Sequence, residues 1–435
     1  MFLGRIVLII IQFILLLITN HLLGSGGRGL FVSATTWALF LFTFFYLSIN
    51  TMYLKECANK KADKTDLKNG FFTFSVFLSI ACIFCAILIY LLLNERFIKL
   101  PLNIYIINVL ATPFMIIQSL SVAVFQSNNN FKKVNIVLLF TGVCNLALIL
   151  FSFFFIQFNV TVFSIITLFS WFFCSLYCYF SCRFTFSIKA FKKLFYKKFT
   201  TDISFLHINT IMTFLISGFN ILLMHKYISD NEVGQYFLAS SITGYLLILP
   251  VSIQNVLMAN LINKSHTEKV RITGYFFKAT LLGMILIAIL LFFLSNIIVF
   301  ILGGKSFTHS AFYLQCLLVS VIFQIAGIIW SSLWSIRGYF KIITKISVVI
   351  VALSVILNFT LIKSMGVSGA IITSTIITFL SMCVHIFLAI KEYKSIGIHG
   401  YEIIPQKKDF IFFKQNLHLF KYRVKDQELV ESKIE

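Results

Sequence analysis

The chain has 435 residues, 59% of them hydrophobic and only 12% charged, with 36 Lys plus Arg against 15 Asp plus Glu, a formal net charge of +21 and a mean hydropathy of +0.95. Apolar content this high excludes a soluble globular domain, because the apolar runs are too long for strands or ordinary core helices. The positive charge gathers in alternate connections between those runs without any nucleic-acid motif, which leaves no nucleic acid among the expected partners.

In chain order, Arg5 and the run Ile6 to Ile18 look like a secretory leader, but no small-x-small site follows and a second apolar run begins almost at once; the segment reads as a retained first helix. About 20 helical residues cross a hydrocarbon core about 30 Å thick. Twelve such stretches are predicted: 3–23, 31–53, 71–93, 102–126, 134–156, 160–182, 203–225, 235–261, 274–301, 310–336, 342–362 and 367–390. None holds a carboxylate in its middle. With the N-terminus inside, 30 Lys plus Arg fall on the cytoplasmic side and 6 on the other, or 21 against 6 without the tail. The positive-inside rule therefore puts both termini in the cytoplasm.

Eight of the nine cysteines lie in apolar spans and Cys57 in a basic connection, so no disulfide framework is expected. Cys82 and Cys85 form a CxxC, and Cys174, Cys178 and Cys182 share a helix face. Both groups read as small apolar filler. No metal ligand set and no cofactor motif is present. GxSxG, HExxH, a Walker loop and paired carboxylates are all missing, so the chain does not read as an enzyme.

The chain repeats itself. Gly29-Leu30-Phe31 with Ala34 recurs as Gly234-Gln235-Tyr236 with Ala239, at an offset of 205. Gly70-Phe71-Phe72 recurs as Gly274-Tyr275-Phe276, Phe131-Lys132 as Phe340-Lys341, and Ser164-Ile165-Ile166-Thr167 as Thr375-Ile376-Ile377-Thr378. Four matches in the same order at nearly constant offset indicate an internal duplication. Six spans per half return the chain to its starting side, giving halves of like topology, an organisation common among carriers that rock one half against the other. The expected domains are a six-helix lobe at 1–182, a basic cytoplasmic linker at 183–201, a second lobe at 202–390 and a cytoplasmic tail at 391–435, which carries an apolar cluster at Phe410–Phe413. The linker, RFTFSIKAFKKLFYKKF, fits an amphipathic helix on an anionic leaflet or, as an alternative, a solvated basic connection.

At these residues the chain resembles a known family. Leu23–Gly29 (LGSGGRG), Asn231–Ala239 (NEVGQYFLA), Leu302-Gly303 through Phe307, Leu333 to Phe340, and Gly366–Ala370 are similar in order and spacing to bacterial Wzx-type O-antigen and polysaccharide flippases. That family lies in the superfamily that also holds the multidrug and toxin extrusion carriers and the lipid II flippase. The resemblance covers Met1 to about Ile390. It implies an all-α integral membrane protein with about twelve transmembrane helices in two pseudo-symmetric six-helix lobes around a central cavity, lined by the first, second, seventh and eighth helices. It also implies a bacterial inner-membrane location and a substrate, an undecaprenyl-diphosphate-linked oligosaccharide moved from the cytoplasmic to the periplasmic leaflet. Membrane lipids and polysaccharide polymerase machinery are the accompanying partners. Where that family often has a basic residue before the first motif, this chain has Asn20-His21-Leu22, and His21 takes the place of a fixed cation.

An anionic diphosphate crossing a membrane needs cations or donors in place of water. Arg28, among glycines at the start of the second span, is the first candidate for head-group attraction, with Lys305 at an outer helix end. Lys278 and Lys226 read as interface lysines, the former snorkelling to the cytoplasmic surface. On the seventh helix, at 3.6 residues per turn, Asn209, Thr213 and Asn220 lie within about 40 degrees of one line, with Ser217 adjacent. They suit sugar hydroxyls, or else tie helices together. His207, Gln254, Gln315 and Gln324 are further polar candidates, and Pro113 and Pro250 are candidate bends in the fourth and eighth helices. Two competing readings remain. A multidrug exporter of the same fold typically needs membrane carboxylates, and a polymerase or ligase needs a large far-side loop; the chain offers neither.

Overall fold

The computed structural model describes residues 2–58, 64–195, 199–261 and 264–399. Most of the predicted tail, including Phe410–Phe413, lies outside the described residues. The described chain is helical without strands: α1 (Phe2–Phe45), α2 (Ile49–Ala58), α3 (Lys64–Leu93), a π-turn (Asn94–Ile98), α4 (Leu102–Val109), α5 (Thr112–Ser127), α6 (Phe131–Ser152), α7 (Val160–Cys182), α8 (Ile188–Phe195), α9 (Phe199–Ser217), α10 (Phe219–Tyr227), α11 (Asp230–Leu261), α12 (His266–Gly303), a 3-10 turn (Gly304–Phe307), α13 (Ser310–Arg337), α14 (Phe340–Met365) and α15 (Val367–Ser395).

Ten helical segments among the described residues are long and apolar enough to cross a bilayer. They meet the predicted stretches except at two places. The first two predicted spans are joined in α1, which is broken only at Gly24, where φ is 63° and ψ is −178°. That region of backbone space is open essentially to glycine alone. The seventh predicted span is divided at Gly218 into α9 and α10, with the Phe214 ring lying against the position a Gly218 side chain would take. The fourth span bends between α4 and α5, where Pro113 stands in the first turn of α5 and cannot continue the hydrogen-bond ladder of α4. Pro250, by contrast, stays inside α11.

The described residues group into two units. One comprises Met1–Ser241, Ser295–Leu314 and Ser347–Thr373, the other Ile242–Leu294, Gln315–Ile346 and Ser374–Glu435. The predicted linker falls inside the first unit, which also takes one end of each of α11 to α15. Its core is built from Tyr53, Phe71, Ile116, Leu120, Val134 and Cys178 across α2, α3, α5, α6 and α7, with a second cluster around Trp37 and Tyr105. All nine cysteines are free, and Cys174, Cys178 and Cys182 are buried packing groups. The second unit packs around Trp330 and Trp334, stacked at 5.7 Å, with Ile325, Phe277 and Tyr393. Buried aromatics of this size give large apolar contact at few rotamer states.

Candidate functional site

A polar construction in the first unit lies where α1, just past its break, crosses the start of α11. A side chain on Gly29 would fall on the backbone oxygen of Asp230, and one on Gly234 on the backbone oxygen of Ser25. The two backbones therefore touch, as small residues permit at membrane helix crossings. The contact is reciprocal: each glycine faces the carbonyl four residues before the other. The surrounding ends repeat this reciprocity. Asn20, wholly buried, donates its amide to Leu302 O at 3.1 Å, and His21 stands beside Gly304. In the other direction Lys99 donates to Lys226 O at 3.0 Å, and the Lys226 amine lies 4.6 Å from the Phe97 ring centroid. The offset of 205 relates residues 20–21 to 225–226 and 97–99 to 302–304. Contacts between the two halves of the sequence thus fall at positions related by about that offset, although the donor is Asn20 in one and Lys99 in the other.

Arg28 lies at this crossing, 8% exposed, with its guanidinium carbon 4.9 Å from the Phe237 ring centroid and 5.6 Å from that of Phe31. The sequence places it among glycines at the start of the second span; the structure buries it within α1. A guanidinium between aromatic faces keeps its charge with part of its hydration replaced by ring quadrupoles. Around it Gln235 accepts from His309 N at 2.7 Å and takes the Ser310 hydroxyl on its carbonyl at 2.9 Å. One pair here escapes the sequence reading: buried His225 meets Asp230 at 2.6 Å. A histidine five residues before an aspartate carries no motif by which to find it.

The other candidates in this unit scatter. His21 is exposed and bonds its own helix at Leu17 O. Lys305 is exposed in the 3-10 turn. His207 is buried. Thr213 is exposed, and the Asn209 side chain lies outside the described residues. Asn220 is buried and donates to Tyr236 Oη at 2.9 Å. The break at Gly218 removes the single helical line on which Asn209, Thr213 and Asn220 were expected to share a face.

In the second unit Gln254 donates to Ser331 Oγ at 2.8 Å, joining α11 to α13, and Gln315 donates to Phe292 O at 3.3 Å. Lys278 corrects its expectation, for it is 4% exposed, its amine 5.2 Å from the Tyr275 ring, rather than reaching for the surface. Glu392, also buried, is paired by Arg337 and approached by His266 at 3.4 Å, which ties the ends of α12, α13 and α15. Burial, then the Glu392 carboxylate, pushes the nearby Tyr339 hydroxyl above its ordinary value. Three acidic or basic side chains other than histidine are buried among the described residues: Arg28, Lys278 and Glu392. The one carboxylate is matched by an arginine, so the balance of buried charge is positive.

No family model and no curated protein matches the chain. Solved structures do. The lipid II flippase MurJ in an inward closed conformation aligns with a TM-score of 0.72 at 15% identity, covering 100% of this chain and 99% of its own. An inward-facing multidrug resistance MATE family transporter of the MOP superfamily aligns at 0.68 and 12%, covering 89% and 95%. A MOP superfamily transporter from Pyrococcus furiosus, described as having a binding pocket of reversed polarity, aligns at 0.59 and 11%, covering 91% and 93%. The chain therefore has the fold of the MOP superfamily transporters.

Proposed function

We propose that the protein is a flippase that carries an undecaprenyl-diphosphate-linked oligosaccharide, an O-antigen or capsule repeat unit, from the cytoplasmic to the periplasmic leaflet by alternating access. Two duplicated six-helix lobes, about twelve spans in all, carry out the exchange, with both termini in the cytoplasm of a bacterial inner membrane. The observation that carries this reading is buried Arg28 at the reciprocal crossing, in a chain whose buried charge is positive on balance. A diphosphate is matched by a planar guanidinium with paired donors. A multidrug carrier for cations needs the opposite sign. The likeness to a flippase of lipid II over the whole chain length supports a lipid-linked cargo.

In this reading the crossing is the closed far-side end of the carrier. Its contacts are a glycine seat, single hydrogen bonds to carbonyls and a cation between rings, each separable at modest cost. Separation of the halves takes Phe237 away from Arg28 and turns the guanidinium toward the diphosphate. The test is complementation of strains lacking defined flippases with different repeat units, read as surface polysaccharide. At least one unit is expected on the surface, with Arg28→Ala reducing display about tenfold or more, as for loss of a charge-assisted bond, and Lys278→Ala reducing it less. Equal display by the two variants removes Arg28 from the site. Export of cationic drugs with no repeat unit displayed favours the multidrug alternative.

A further inference from the structure

We propose that the segment from Arg183 to Phe195 is a docking surface for anionic phospholipid head groups, with α8 lying in the membrane interface. The depth is set by α3. That helix opens with the polar run Lys64–Asn69 and turns apolar at Gly70. α8 and its approach are pinned at this step. Lys68 donates to Cys182 O at 2.8 Å, Thr185 N to Asn69 Oδ1 at 3.2 Å and Ser187 N to Thr73 Oγ1 at 2.9 Å. Phe184 stacks on Phe72 at 4.7 Å, and Phe191 packs on Phe77 at 5.2 Å and Phe74 at 6.0 Å. At 1.5 Å per residue, Phe74 and Phe77 lie about 6 and 10 Å past the polar-to-apolar step. An interfacial amphipathic helix buries its apolar face about 5–10 Å into the head-group and acyl boundary. The two depths agree.

The faces are also sorted as an interface requires. Ala190 is buried against the protein, while Phe186 and Ile188 are exposed beside exposed Arg183, Lys189 and Lys192. From Arg183 to Phe195 the sequence has four basic residues and no acidic one. Phe186, whose ring also touches Phe77, and Ile188 each leave about half their surface open, which a solvated connection has no use for. An anionic surface accommodates both these rings and aliphatics and the adjoining cations.

The full chain in nanodiscs tests this, without substrate, by hydrogen exchange of the α8 amides and by native mass spectrometry of retained lipid. Nanodiscs of neutral phosphatidylcholine are compared with nanodiscs containing phosphatidylglycerol. Phosphatidylglycerol is expected to slow α8 exchange and to be retained over phosphatidylcholine, with about fivefold of that preference lost per basic residue removed. Lys189→Gln/Lys192→Gln keeps the apolar packing and should lower the preference about 25-fold, two residues at about fivefold each, and high salt should weaken it further. Inorganic phosphate in neutral nanodiscs should leave α8 unprotected. Equal protection in both lipids, protection by free phosphate alone, or an unchanged preference in the double variant overturns the proposal. None of these outcomes depends on what the protein transports.

Discussion

Glycine does three different jobs in the run from Gly24 to Gly29, and substitution separates them. Gly24 supplies the positive φ that breaks α1, and alanine there should cost about 1–3 kcal/mol. Gly26 has helical backbone and open space around a would-be side chain. Alanine there should be neutral or stabilising by up to about 1 kcal/mol. Gly29 has no room against Asp230, so Gly29→Ala must part α1 from α11. Thermal unfolding in detergent should rank the variants Gly26→Ala, then wild type, then Gly24→Ala and Gly29→Ala below. A Gly29→Ala protein as stable as wild type would contradict the close approach. The glycine run was legible in the sequence, and it put Arg28 at the start of the second span. Which glycine breaks the helix and which one receives another backbone depends on a partner 205 positions away, and no local signal carries that. Lys278 was misread for a related reason: position along a span shows depth, but not whether a tyrosine covers the amine.

At the scale of elements, the breaks divide into those with a chemical mark and those without one. Pro113 marks the α4–α5 bend and was expected to do so. The α9–α10 break rests on Gly218 with Phe214 against it, which apolar periodicity hides. The ends of α12, α13 and α15 meet at Glu392, and this junction yields an element-level prediction. Arg337 is partly exposed and Glu392 nearly closed off, so Glu392→Gln leaves a cation beside a neutral group in a shielded place. Thermal melts should show a loss of about 1–3 kcal/mol, the cost of an unmade buried polar partner. Adding Arg337→Gln should cost less than the sum of the two single changes, because the groups share one interaction. Strict additivity would show that the pair contributes nothing to holding the three helices together.

For the whole molecule, the count of crossings decides how the duplication is read. Sequence offsets near 205 predict a duplication, and the contacts of Gly29 with Gly234, of Asn20 and His21 with Leu302 and Gly304, and of Lys226 with Phe97 and Lys99 fall at positions related by about that offset. Span number is harder, because α1 is two helical stretches run together end to end at Gly24. Its parts before and after Gly24 are each about 30 Å long at 1.5 Å per residue. Each part alone fills a bilayer core, and together they are twice its thickness. If both stay within the bilayer, the chain folds back at Gly24, which predicts two crossings joined by a turn at residues 24–29. In a cysteine-free background, Gly26→Cys should react with a membrane-impermeant thiol reagent from outside intact cells. Thr65→Cys, at the exposed start of α3, should react only after the membrane is opened. If α1 crossed once, residue 26 would sit near mid-bilayer and stay unlabelled from either side, and the halves would no longer share a topology. Labelling of Gly26→Cys from outside, with Thr65→Cys protected, fixes the first two crossings and the side on which the Arg28 crossing opens.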